Sequence, residues 1–138
     1  MIGEPTLSRR FGWTSLFGWV LFGLGLEAAH GWKASAYVDD HLTRTLLRLA
    51  HAHGVILALV VLAYGERGSP LLEPPSRAAR VGWWLRGGAF LVPLGFALSA
   101  IHASESDPSL PIVLVPLGAL ALLGALGQVA LGAWRHKG

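Results

Sequence analysis

Long apolar runs separated by short polar stretches set the pattern of this 138-residue chain. A helix that crosses about 30 Å of hydrocarbon needs roughly 20 apolar residues. Four runs approach that length, at about 11–29, 46–64, 83–101 and 110–134. They are continuous and lack the period-2 alternation of membrane strands. Backbone polar groups cannot stay unpaired in lipid, so each run is predicted as an α-helix. ERGSPLLEPPSRAAR, polar and Pro-bearing, reads as the loop between the second and third runs, and HASESDPSLP as a short turn before the fourth. The expectation is a single integral membrane domain over 1–138, all-α, built as a four-transmembrane-helix antiparallel bundle.

Composition agrees with that pattern. Charged residues make up 14% of the chain, against roughly 25% in an ordinary soluble domain. Hydrophobic residues reach 53%, too much apolar mass for the interior of so short a soluble chain. Gly (18) and Trp (6) are frequent, and both suit membrane helices: Gly lets backbones approach, and Trp settles at the headgroup level. The absence of Cys excludes disulfides, thiolate metal sites and thiol catalysis.

The net charge of +3 does not indicate nucleic acid, because the basic residues sit at the ends of apolar runs, where they set topology. Arg9 and Arg10 precede the first run. Arg67, Arg77, Arg80 and Arg86 surround the second loop, and Arg135 and Lys137 follow the last run. In an even-numbered bundle these share one side, which places both termini in the cytoplasm. Lys33, Arg44 and Arg48 on the other side are offset by Asp39, Asp40, Glu105 and Asp107. The expected location is a bacterial inner (cytoplasmic) membrane, crossed several times. SRRF before an apolar run looks like a twin-arginine signal, but no small-residue cleavage site follows, so a retained helix is expected.

Small residues mark where helices touch in lipid. Ala50, Gly54 and Ala58 repeat every four residues on the second run, as do Gly95, Ser99 and Ala103 on and just past the third. These two runs are expected to pack closely. Gly18, Gly23 and Gly25 lie on the first run, and Gly118, Ala121, Ala125 and Gly132 on the fourth. Pro93 and Pro116 are expected to kink their helices.

The polar residues that need explaining gather on the non-cytoplasmic side: His30, His41, His51, His53 and His102, with only His136 opposite. Glu27 and His30 are three apart and share a helix face. Glu27 lies in an apolar run, where a carboxylate is costly and is usually functional or paired. Glu-x-x-His also occurs in bundle metal sites; the alternative is Glu27 paired with Arg44 or Arg48. His51 and His53, two apart, point about 200° apart on a helix, so they serve different neighbours unless the helix unwinds. Both could equally be interfacial histidines bonded to headgroups or carbonyls. In an antiparallel bundle His30, His51 or His53, and His102 are expected to converge at one depth, with Glu27 one turn deeper. Imidazole suits copper, zinc, iron and haem iron. Asp39 and Asp40 read as N-cap and first-turn carboxylates, Arg86 as a snorkelling side chain, and Gln128 as a hydrogen-bonding partner for a neighbouring helix.

The run RLAHAHGVILALVVLAYG resembles the His-x-His helix of small bacterial membrane proteins related to haem–copper oxidase subunit I. The resemblance covers about 18 residues and implies that His51 and His53 bind haem on opposite sides of one helix. The chain also looks like uncharacterised four-helix bacterial membrane proteins, which implies no activity.

The leading expectation is a small polytopic membrane protein that binds a transition metal (Cu, Fe or Zn) or haem through His30, His51, His53 and His102, with Glu27 as a further metal ligand. Its role would be electron transfer or metal handling. The alternatives are an accessory subunit of a larger membrane complex, or a small transporter or channel. Beyond the bilayer, the expected partners are a larger membrane complex or further copies of the chain. No catalytic constellation is visible, so enzyme activity is left open.

Overall fold

The computed structural model describes residues 3–101, 103 and 107–135. Four long helices account for most of them: α1 (Glu4–Gly31), α3 (His41–Ala63), α4 (Pro75–Ser99) and α5 (Leu114–Arg135), with a single-turn α2 (Ser35–Val38) between the first two. No strand occurs among the described residues.

Helix boundaries run past the expected ones where proline permits. The stretch taken for a long polar loop is mostly helical. α3 continues through a π-helical turn (Tyr64–Gly68) and a 3-10 turn (Ser69–Leu71), and α4 starts at Pro75, leaving only Leu72, Glu73 and Pro74 between them. Pro75 opens α4, where its missing N–H has no intrahelical partner to lose. Pro5 does the same in the first turn of α1, which begins well before residue 11. Pro116 sits in the first turn of α5 instead of its interior, so it cannot kink that helix as expected. Pro93 is interior and buried in α4. α1 ends with Lys33 at φ 52°. Ala34 N–H donates to Ala29 O and Lys33 N–H to His30 O, the two bonds of a left-handed helix stop that glycine usually fills.

Successive helices pack antiparallel in a row. Gly12 of α1 meets Leu62 of α3, and Gly23 meets His51. Gly95 of α4 meets Val115 of α5, and Gly88 meets Leu122. α1 packs on α3, α3 on α4 and α4 on α5, while α1 and α5 share no packing interface. The arrangement is thus an open row, not a closed bundle. The core runs along α4, where Val81, Leu85, Ala89 and Val92 meet Val61 and Tyr64 from one side and Leu122 and Ala125 from the other. The second and third runs pack together as expected, but their small-residue stripes also serve other helices: Gly54 and Ala58 of α3 receive α1, and Gly95 of α4 receives α5.

Three helical stretches are long and apolar enough to cross a membrane: His41–Leu71, Pro75–Ser99 and Leu110–Arg135. α1 is long enough at 28 residues, but Gly, Thr, Ser, Trp and Glu27 dilute its apolar run and it falls short of that standard. The outer surface is apolar nonetheless. On α5, Leu120 and Leu123 are 66% and 70% exposed, and on α1 Phe17 and Leu24 are 67% and 62% exposed. Contiguous apolar surface of this kind belongs against another apolar phase and not against water.

Candidate functional site

At the end of the row carrying His30, His51 and His53, the structure divides the histidines. His51 points from α3 to α1. Its Nδ1 lies 2.9 Å from the carbonyl oxygen of Trp19, and its ring fills the notch left by Gly23, where a Cβ would overlap it. His53 points the other way. Its Nδ1 lies 2.8 Å from Leu49 O on its own helix, and its ring packs on Phe96 of α4 at 5.1 Å between centroids. The opposed directions expected from helix geometry therefore hold, and both rings are bonded to backbone carbonyls, as the alternative reading also expected.

A carbonyl oxygen can only accept, so in the neutral ring Nδ1 carries the proton in both histidines. Each Nε2 is left with its lone pair free. This is the tautomer of an imidazole held by a backbone carbonyl for metal ligation.

His51 and Glu27 line one cavity of about 400 Å³ between α1 and α3, together with Tyr37 and Arg48. Val20, Leu24 and Val55 form its apolar floor. Glu27 and Arg48 face this space without forming an ion pair, and Arg44 donates instead to Val38 O. The expected pairing of Glu27 with Arg44 or Arg48 is thus not made. His30 stands at the rim, its exposed ring edge-on to Tyr37 at 6.5 Å. His53 belongs to the opposite side of α3, and His102 lies outside the described residues. Among the described residues no three potential ligands gather closely enough to hold a metal ion. Of the expected convergence of His30, His51 or His53, and His102 with Glu27, the described residues bring His51 and Glu27 to one cavity, with His30 against its Tyr37 wall.

Asp40 caps α3 as expected. Its carboxylate accepts from Thr43 N–H at 3.0 Å and Thr43 Oγ1–H at 2.7 Å. Those bonds hold its carboxyl below the ordinary carboxylate value. Gln128 also behaves as expected, accepting from Arg77 Nε at 3.3 Å across the α4–α5 contact.

At the other end a charge cluster escaped the sequence reading. Arg86 does not end in water. Its side chain runs back toward the start of α4, as helical side chains do, and donates to Glu4 and, at 2.8 Å, to Ser8 Oγ. Ser8 in turn donates to Glu4 Oε1 at 2.6 Å. The Arg86 and Glu4 side chains are 14% and 7% exposed. Gly82, one turn before Arg86, leaves the space that Glu4 occupies. The i,i+4 pairs Glu4–Ser8 and Gly82–Arg86 were visible signals, but nothing in the sequence linked them across 78 residues of chain.

The chain matches no family model, no curated protein and no solved structure.

Proposed function

We propose that this chain is an inner-membrane protein that crosses the bilayer four times, with its arginine-rich end and both termini in the cytoplasm, and that it binds a redox or transition-metal centre at its histidine-rich end. The four-span reading is supported by α1 lying antiparallel along α3, from Gly12 against Leu62 to Gly23 against His51. If α3 crosses the membrane, α1 crosses beside it. Exposed Trp83 and Trp134 at one end and Trp32 at the other fit the interfacial belts.

The observation that carries the binding function is the free Nε2 of His51 in a cavity that also holds Glu27 and Arg48. Imidazole nitrogen with one carboxylate suits a copper, zinc or iron ion, and the same nitrogen can take haem iron. Arg48 is placed to meet an acidic group carried by such a ligand. Electron transfer or metal handling follows from that chemistry. Full-length protein purified in detergent is expected to carry stoichiometric metal or a Soret absorption band. His51→Ala should remove it and His53→Ala should leave it. Protein with neither metal nor band would sink the reading.

A second reading, a subunit within a larger membrane complex or a homo-oligomer, is favoured by one feature of α1. Gly18 and Gly25 meet nothing from other helices, although small residues in lipid usually mark a helix contact. Copurification with a fixed partner in mild detergent, or a defined oligomer in cross-linking, separates this from a lone monomer.

A further inference from the structure

α3 and α5 both pack on α4, and toward the arginine-rich end a cavity of about 280 Å³ opens between them. Its walls are apolar: Val60 and Ala63 come from α3, and Leu126 and Val129 from α5. The π-helical turn and Leu71 close its far end. Gly68 lets that turn lie against α5, since a Cβ there would stand 2.8 Å from the Tyr64 ring and 3.5 Å from Val129. Gly132 in turn admits Leu71, whose carbonyl oxygen would stand 2.8 Å from an added Cβ.

Among the described residues that line this space, Arg67 alone is charged. It is exposed and makes no ion pair or hydrogen bond among the described residues. The carboxylate beside it in sequence is already engaged: Glu66 pairs with Arg9 of α1 at 3.8 Å. The lining is also ordered along the helix. Arg67 lies about 10 Å beyond Val60 at the ordinary helical rise. In the four-span reading Val60 lies toward the hydrocarbon and Arg67 toward the cytoplasmic headgroups. The groove therefore passes from apolar to cationic in the order in which a phospholipid passes from acyl chain to phosphate.

That order selects among occupants. A water-soluble anion has no use for the apolar walls, and a plain hydrocarbon leaves the guanidinium unanswered. A zwitterionic lipid brings an ammonium that no carboxylate of the lining accepts. We propose that the groove binds an anionic phospholipid of the cytoplasmic leaflet, of the phosphatidylglycerol class. Its phosphate accepts from the Arg67 guanidinium, whose planar fork matches phosphate oxygens. One acyl chain lies along Val60, Ala63, Leu126 and Val129. Basic pockets between membrane helices on the cytoplasmic side recognise acidic headgroups by this chemistry. The proposal rests on the four-span reading, which sets Arg67 at headgroup depth.

The test uses the full chain in nanodiscs of equal phosphatidylglycerol and phosphatidylethanolamine, with retained lipid read by native mass spectrometry. The glycerol lipid should be retained roughly fivefold over the ethanolamine lipid, about the effect of one arginine near an anionic headgroup. Arg67→Gln should erase that preference. Arg80→Gln, on an exposed side chain outside the lining, should leave it intact. Ala63→Trp fills the groove from an exposed position and should lower retention of the glycerol lipid to that of the ethanolamine lipid. Equal retention of the two lipids by the unaltered protein would overturn the proposal. So would equal losses from Arg67→Gln and Arg80→Gln, which would assign the preference to the general charge of that end. Displacement of the lipid by millimolar inorganic phosphate, or full retention by Ala63→Trp, would remove the acyl chain from the groove and overturn it as well. A chain that does not enter nanodiscs refutes the four-span reading, whereas one that enters without preference refutes the lipid site alone.

Discussion

The two ends of the helix row treat opposite charges in contrasting ways. At the arginine-rich end, Glu4, Ser8 and Arg86 close on one another, with Ser8 fully buried and Gly82 making room for the carboxylate. At the histidine-rich end, Glu27 and Arg48 line one cavity yet form no pair. A buried pair with every bond made fastens helices, and removing one partner leaves an uncompensated charge. Separated charges on a cavity wall fasten nothing and stay free for a guest. The fastened end joins α1 to α4, which otherwise touch little; toward the open end α1 meets α3 through the His51 imidazole at Gly23 and the Trp19 ring at Gly54.

Arginine substitution should break this comparison most sharply. Arg86→Ala strands Glu4 and should cost about 3–5 kcal/mol, read as a lower melting temperature in detergent. Arg48→Ala should stay within about 0.5 kcal/mol, as a surface change without partners does. Equal losses would mean that the two ends are alike. A smaller effect separates two glycines of α1. Gly23→Ala pushes on the His51 ring and should cost about 1–3 kcal/mol by overpacking, with loss of any centre bound at His51. Gly25→Ala, in open space, should melt with the parent protein. The smallest effect is a pH dependence at the Asp40 cap. Its carboxyl is held below the ordinary value by Thr43. Its contribution is therefore complete above that ordinary value and fades as pH falls through the lowered one. Asp40→Asn keeps an acceptor for Thr43 N–H and should flatten that part of an acid melting series; an unchanged slope would assign it elsewhere.

Much of the fold was legible because it depends on local rules. Apolar runs of span length, prolines compatible with helix starts and an Asp three residues before Thr43 each act within a few residues. The opposed directions of His51 and His53 were also readable, since helix pitch fixes them. Helix limits were less so: the polarity of ERGSPLLEPPSRAAR suggested a loop, but Pro75 sits where a helix start tolerates it. The candidate site was half legible. Glu27 and His51 were named, whereas Arg48 was assigned to pairing, and Glu4 with Ser8 was not seen at all.

By itself the sequence determined that the chain is helical, which side chains would share a helix face, and which end of the row would hold the arginines. Those follow from the 3.6-residue turn, hydropathy and charge order. Only tertiary structure decided that α1 ends on α4 through Arg86, that the histidines part company, and that Glu27 meets a cavity instead of a cation. Each outcome depends on the relative depth and rotation of helices far apart in the chain. Small residues such as Gly23, Gly54 and Gly82 set that register by contact, and their effect cannot be read until the partner surface is in place.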